Sequence, residues 1–152
     1  MSESIAILIS TKPLRTRTQE GRHTIDALAP ERLQKLAERF DRVIIGSKAS
    51  DDFFKLMRHS LPKGIAGKFR LYSRSYFAGF KRSGLLPTDE DLRDDGWREI
   101  LRENGIEFVE RARVLQENYT YAEIDFSWKR MEDFIRDDRV TILRTPEDIL
   151  KK

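Results

Sequence analysis

The sequence contains no cysteine in its 152 residues. This absence excludes disulfide bonds, thiolate catalysis and any zinc or iron–sulfur site that requires cysteine ligands. Histidine is also scarce, because His23 and His59 are the only two in the chain. We expect neither a metal site nor a bound cofactor.

Long apolar runs are absent as well. Near the N-terminus, residues 5–9 form a five-residue apolar run with no basic residue before it, and this is too short for a secretory signal or a membrane span. We therefore expect a cytoplasmic protein with no membrane partner. A chain of this length, with 39% hydrophobic residues, predicts one domain over residues 1–152.

The familiar nucleotide-binding signatures are missing. Neither GxxxxGKS/T nor GxGxxG occurs, and His23 is followed by Thr24, Ile25 and Asp26, so the HxGH signature of small nucleotidyltransferases is absent too. No motif in the sequence names a reaction. Whether the protein is an enzyme stays open at this point.

Apolar patterns predict an alternation of strands and helices. Short apolar runs predict strands at residues 5–9, 41–46, 106–109 and 139–143. Apolar residues at helical spacing, with N-cap and glycine signals at the ends, predict helices at residues 30–40, 50–60, 88–105 and 120–135, and a last one from Thr145. Strands separated by helices pair in parallel through right-handed crossovers. We therefore predict a three-layer α/β domain with a short, mostly parallel four-stranded sheet flanked by helices.

Charge is distributed unevenly along the chain. Residues 53–88 carry eight basic residues and no Asp or Glu, whereas residues 89–152 carry twelve basic and eighteen acidic residues. Seven aromatic residues are interleaved with the eight cations. Part of this window fits two patterns: residues 67–81 have an aromatic stripe at helical spacing, and residues 69–77 also alternate as a strand would. We favour the helix.

The basic window suits a nucleic-acid surface, because Lys and Arg neutralise phosphates while exposed aromatic rings stack on unpaired bases. The residues predicted to bind nucleic acid are Lys63, Lys68, Arg70, Tyr72, Arg74, Tyr76, Lys81 and Arg82. The alternative for the rings is that they pack into the core. A further alternative is a homo-oligomer in which the basic segment of one copy meets the acidic C-terminal third of another.

A second hypothesis places a small ligand at the carboxyl ends of the strands, where parallel sheets bind ligands. This rule nominates the loops at residues 10–18, 47–50, 110–113 and 144–145. The residues predicted to hold a phosphate there are Thr11, Lys12, Arg15, Arg17, Ser47 and Lys48. If the protein is an enzyme acting on a nucleotide or another phosphorylated small molecule, His23 is the proton-transfer candidate. The alternative for His23 is an ordinary surface histidine.

Two carboxylates near the C-terminal third could suggest a nuclease. Glu123 and Asp125 with Lys129 resemble a carboxylate-plus-lysine set on a strand. We favour a helix instead, in which Thr120 and Glu123 form a capping box and Asp125 pairs with Lys129 at i,i+4.

Overall fold

The computed structural model describes residues 3–10, 16–19, 22–25, 30–48, 50–78 and 92–144. In chain order the strands and helices are β1 (Ile5–Ser10), β2 (Thr16–Gln19), β3 (Arg22–Ile25), α1 (Pro30–Arg39), β4 (Arg42–Ser47), α2 (Asp51–His59), α3 (Lys63–Ala66), β5 (Phe69–Tyr72), α4 (Arg74–Ala78), α5 (Asp94–Glu103), β6 (Arg111–Leu115), β7 (Tyr121–Asp125) and β8 (Val140–Leu143). Short 3₁₀ turns cover Glu117–Tyr119 and Trp128–Asp133.

Four of the strands form one parallel sheet in the order β5-β4-β1-β8. Strand β1 lies at the centre, where Ile7 pairs with Ile44 of β4 on one side and with Ile142 of β8 on the other. Strands β2 and β3 form a separate antiparallel ribbon, and so do β6 and β7. The predicted α/β fold with a four-stranded parallel sheet is confirmed.

Both faces of the sheet are covered, which explains why β1 and β4 are apolar at nearly every position. On one face, Leu8 and Val43 pack with Leu33 of α1 and Phe54 of α2. On the other face, Ile5, Ile7, Ile9 and Ile44 pack with Trp97 and Ile100 of α5 and with Phe77 of α4. Each such side chain, when fully buried, contributes about 1.5–3 kcal/mol. The sheet is therefore the middle layer of three.

One strand of the sheet is not the strand that the sequence predicted. The helix predicted over residues 67–81 is wrong, because Phe69–Tyr72 forms strand β5 and the short helix α4 follows it. Phe69 is buried and pairs with Val43 at the edge of the sheet. The strand predicted at residues 106–109 is also wrong, since Phe108 makes a single bridge to Ile135. Burial of Phe69 against the sheet outweighs the helical spacing of the neighbouring rings.

The helix predicted over residues 120–135 is wrong as well. Residues 121–125 form strand β7 in a ribbon with β6, and exposed and partly buried side chains alternate along it. Tyr121, which the helical pattern placed on the buried face, is 63% exposed. Asp125 pairs with Arg111, at 3.0 Å between carboxylate and Nε, and Lys129 lies over the ring of Trp128. The apolar spacing of this segment is shared between a strand and a 3₁₀ turn.

The helix predicted to stop at Gly105 does so. Helix α5 ends at Glu103, and Gly105 has φ +67°, which glycine adopts without the steric cost of a side chain. The predicted start of this helix at Thr88 is wrong, because Arg93 is extended and the helix begins at Asp94. Thr88 itself and the last helix predicted from Thr145 lie outside the described residues. None of the helices in the described part of the chain combines the length and apolar character that a membrane-spanning helix needs.

Candidate functional site

The strand order reverses at one place in the parallel sheet. The chain passes from β1 to β4 and on to β5 in one direction, then returns across the sheet to β8 on the far side of β1. Open parallel sheets bind ligands at the carboxyl ends of their strands, at the point where the strand order reverses. The candidate site is therefore the crevice between the carboxyl ends of β1 and β8, which we call the β1/β8 crevice.

Arg144 follows directly after β8 and stands at this crevice. Its Nε donates to Oε1 of Glu132 at 2.6 Å, and its Nη2 donates to the backbone carbonyl of Trp128 at 3.1 Å. The side chain is 30% exposed. Two contacts from a 3₁₀ turn thus fix the guanidinium in one orientation. A guanidinium held in this way can meet an anion with little further loss of side-chain entropy.

A cleft adjoins Arg144 through Trp128. The backbone N–H of Trp128 donates to Asp94 at 3.0 Å, at the start of α5, while its carbonyl accepts from Arg144. The cleft measures about 670 Å³. It is lined by Leu92, Arg93, Asp94, Asp95, Arg98, Asp125, Phe126 and Trp128. Trp128 is thus the residue that links this cleft to Arg144.

The predicted phosphate-binding residues fall in three groups: two at the end of β4, three outside the described residues, and Arg17 in the β2–β3 ribbon. Ser47 ends β4, next to Ser10 of β1, and it is fully buried, whereas Lys48 is partly buried. Thr11, Lys12 and Arg15 lie outside the described residues. In the sequence these last three residues follow Ser10, the final residue of β1.

Arg17 and His23 lie in the ribbon formed by β2 and β3. Arg17 pairs with Thr24, and His23 pairs with Thr18. Paired residues share a face of a ribbon and successive residues alternate between faces, so positions 17 and 23 lie on opposite faces. His59, the other histidine, is exposed at the end of α2.

The other half of the carboxyl edge, at β4 and β5, is occupied by a hydrogen-bonded cluster. Ser73 and Ser75, which follow β5, both donate to the carboxylate of Asp51 at the start of α2, the latter at 3.0 Å. These hydrogen bonds hold the pKa of Asp51 below its ordinary value. Ser50 caps the same helix by accepting from Phe53 N at 3.2 Å. A fixed negative charge with its hydroxyl donors already engaged makes this half a poor place for an anion.

The sequence does not identify Asp51, Ser73 and Ser75 as a cluster. The helix that the aromatic spacing predicts across residues 67–81 leaves no strand end at residue 72. The strand-like alternation of Phe69, Leu71 and Ser73 was the signal that could have found it. The loop at residues 110–113 is nominated because it follows the strand predicted at residues 106–109. That segment is not a strand of the parallel sheet, so the loop does not lie at a strand end.

The cations of the basic window differ in exposure. Lys63 and Arg70 are exposed, and Arg70 donates to the carbonyl of Gly67 at 2.8 Å. Lys68 is partly buried, and its Nζ donates to the carbonyl of Ala37 at 2.7 Å. Arg74 is partly buried in α4. Lys81 and Arg82 lie outside the described residues.

Tyr72 and Tyr76 are partly buried and pack on the core. Their ring centroids are 4.9 Å apart, edge to face. Both hydroxyls donate to the carboxylate of Glu103, at 3.1 and 3.4 Å, and Asn104 donates to the Tyr72 hydroxyl at 3.0 Å. Burial, together with the charge of Glu103, raises the pKa of both phenols. Base stacking on either ring would require these contacts to break.

No family model matches the chain, and no similar curated protein or solved structure was found. Within the described ranges, no group of three or more His, Cys, Asp or Glu side chains could hold a metal ion.

Proposed function

We propose that the chain binds a phosphorylated small molecule in the β1/β8 crevice. The observation that carries this proposal is the strand order, because Arg144 directly follows β8 at the point where the order reverses. Lys12 and Arg15 follow β1 in the sequence, and we expect them to contribute to the same crevice. The rule that ligands bind at the carboxyl ends of strands applies to any parallel sheet. The observed strand order favours the ends of β1 and β8.

The chemistry of these side chains fits a phosphate. A guanidinium presents a planar fork of donors that matches phosphate oxygens, and Arg144 is already oriented by Glu132. Lys12, Arg15 and Lys48 would add charge, and Thr11 would add a hydroxyl donor. An enzyme acting on the bound ligand is the stronger form of the proposal, with His23 as its proton-transfer group. The cleft beside Trp128 would receive the rest of the ligand.

The experiment is a screen of the thermal unfolding midpoint against nucleoside monophosphates, nucleoside diphosphates and sugar phosphates. A ligand at a hundredfold excess over its dissociation constant stabilises the folded state by about 2.7 kcal/mol. We expect at least one compound to raise the midpoint of the wild type and to raise it less in Arg144→Gln. Lys63→Gln is the matched control, since Lys63 is exposed on α3 and remote in sequence from the crevice. A flat screen contradicts the proposal.

Nucleic-acid binding is the second candidate, and one observation favours it. Exposed cations occur on three consecutive elements, at Lys55 and Arg58 of α2, Lys63 of α3 and Arg70 of β5, and no acidic residue lies between them in the sequence. Such a surface would hold a phosphate backbone by charge alone. The half-buried tyrosines argue for contact through cations rather than through stacking.

Fluorescence anisotropy of labelled single-stranded and duplex oligonucleotides over a salt series tests the second candidate. Binding through cations predicts an affinity that falls steeply with salt and that drops in the triple variant Arg58→Glu, Lys63→Glu, Arg70→Glu. Arg144→Gln should bind oligonucleotides as the wild type does. An affinity that ignores both the salt and the triple variant would exclude this candidate.

A further inference from the structure

The ribbon formed by β6 and β7 exposes an unusual amount of apolar side chain. Leu115 is 50% exposed, Tyr121 is 63% exposed and Tyr119 is 87% exposed. In the described part of the chain these are the large hydrophobic residues that are exposed, and all three lie at one end of this ribbon. Single exposed apolar residues are ordinary, but a cluster of them marks an interaction surface.

The rest of the same face is charged in a regular way. The outward residues of β6 are Arg111, Arg113 and Leu115, and those of β7 are Asp125, Glu123 and Tyr121. The register pairs them directly across the ribbon, each arginine with a carboxylate and Leu115 with Tyr121. The outward residues of β6 therefore form a basic column and those of β7 an acidic column. Leu115 and Tyr121 form an apolar pair at one end of the two columns.

We propose that this outer face of the β6–β7 ribbon is the contact surface of a homodimer. Consider a two-fold axis that lies between two such faces and runs parallel to the strands. It places the β6 column of one copy opposite the β7 column of the other, at the same height along the ribbon. Arg113 then faces the second copy's Glu123, Arg111 faces Asp125, and Leu115 faces Tyr121. Both copies make the same contacts, as an isologous interface requires.

The same register argues against the other face-to-face arrangement. A two-fold axis in the interface plane and perpendicular to the strands would put Arg113 opposite Arg113 of the second copy. It would likewise put Glu123 opposite Glu123 of the second copy. Like charges that meet across an interface are unfavourable, so this arrangement is disfavoured. Charge complementarity therefore selects a second copy of this chain as the occupant and also selects its orientation.

The loop at the end of the ribbon directs Tyr119 into solvent. Asn118 and Tyr119 both have positive φ, +67° and +61°, and Gln116 N donates to Thr120 O at 2.6 Å to close the loop. A bulky residue in this conformation is strained, and backbone strain of this kind clusters at functional sites. Tyr119 would extend the apolar end of the proposed interface.

The size of the face predicts a weak dimer. Stable interfaces bury about 1,200–2,000 Å² in total, more than two five-residue ribbons can supply. The proposed dimer should therefore dissociate on dilution. High salt should weaken it as well, because most of its contacts join exposed charges.

Sedimentation velocity over about 5 μM to 1 mM protein tests the proposal, because weak complexes dissociate in this range. The variants exchange the charges of the central pair, Arg113 and Glu123. Arg113→Glu and Glu123→Arg should each lower the association constant at least tenfold, because each places like charges across the interface. A mixture of the two single variants should associate again as a heterodimer. The double variant Arg113→Glu, Glu123→Arg should associate as the wild type does.

Two controls are needed: one shows that the variants are folded, and the other tests whether a different surface forms the interface. Far-ultraviolet circular dichroism must show that the single variants are folded, and recovery in the mixture shows this independently. Arg70→Glu should dimerise normally, whereas its loss of association would point to the basic segment as the interface and overturn the proposal. A wild type that stays monomeric at 1 mM, or single variants that associate like the wild type, would also overturn it.

Discussion

Gly46 of β4 lies directly against the indole ring of Trp97 in α5. A Cβ placed at residue 46 would overlap ring carbons of Trp97 and would approach the ring of Phe77 to 3.2 Å. Both Trp97 and Phe77 are fully buried. The absence of a side chain at residue 46 thus lets α5 pack close to the sheet, and α5 begins at the cleft beside Arg144.

Gly46→Ala should destabilise the fold by about 1–3 kcal/mol, because the new methyl group would force the buried rings to shift. Gly67→Ala is the matched control, since nothing lies within 4 Å of its Cβ position and its φ of −66° suits alanine. Urea unfolding followed by circular dichroism measures both. Equal midpoints for the two variants would show that the Gly46–Trp97 contact is not tight in solution.

The amino edge of the sheet carries an ion pair with a predictable pH dependence. The Asp137 carboxylate accepts from Arg139 Nε at 2.9 Å and from Nη2 at 2.7 Å, and these hydrogen bonds lower its pKa well below the ordinary value. A depressed pKa contributes stability above the unfolded value, near 4, and that contribution is lost as the pH falls. Asp137→Asn should therefore cost about 1–2 kcal/mol at pH 7.

The measurement is the free energy of unfolding of Asp137→Asn and the wild type between pH 2 and pH 7, in about unit steps. The difference between the two proteins should shrink as the pH falls below about 4. Asp138→Asn, on the exposed neighbouring residue, serves as the control. A difference that stays constant over this range would mean that the carboxylate charge does not stabilise the fold.

The tyrosine pair predicts the opposite trend at alkaline pH. Burial and the nearby Glu103 raise the pKa of Tyr72 and Tyr76 in the folded state. Stability from a raised pKa is complete below the unfolded value of about 10 and is lost as the pH rises above it. Tyr76→Phe should therefore flatten the loss of unfolding free energy between about pH 9 and pH 11. Parallel curves for the wild type and Tyr76→Phe would contradict the burial of this phenol.

The sequence was sufficient for the layers of the fold and for most of the sheet. Continuous apolar runs such as that of β1 identify strands buried on both faces, and Gly105 identified the end of α5. It was not sufficient for β5 or for the β6–β7 ribbon. Short segments with mixed apolar spacing fit a strand and a helix equally well, and burial against distant residues decides between them.

The candidate site was predictable in part, for the same reason. The rule for parallel sheets nominates Arg144 with its loop from the sequence alone. The choice among the nominated loops needed that order, because the pairing of β8 with β1 joins residues far apart in the chain. The contacts of Arg144 with Glu132 and Trp128 depend on a 3₁₀ turn that apolar spacing had assigned to a helix. Local patterns contain no information about such long-range pairings.

The measurement that tests the central claim most directly is amide NMR of ¹⁵N-labelled protein titrated with AMP and, separately, with inorganic pyrophosphate. Binding in the β1/β8 crevice predicts saturable shifts at Lys48, Leu143 and Arg144, and their loss in Arg144→Gln. Amides at Lys63 and Arg70 should not move. Shifts confined to Lys63 and Arg70, or no saturable shift with either compound, would contradict the assignment of the ligand site to this crevice.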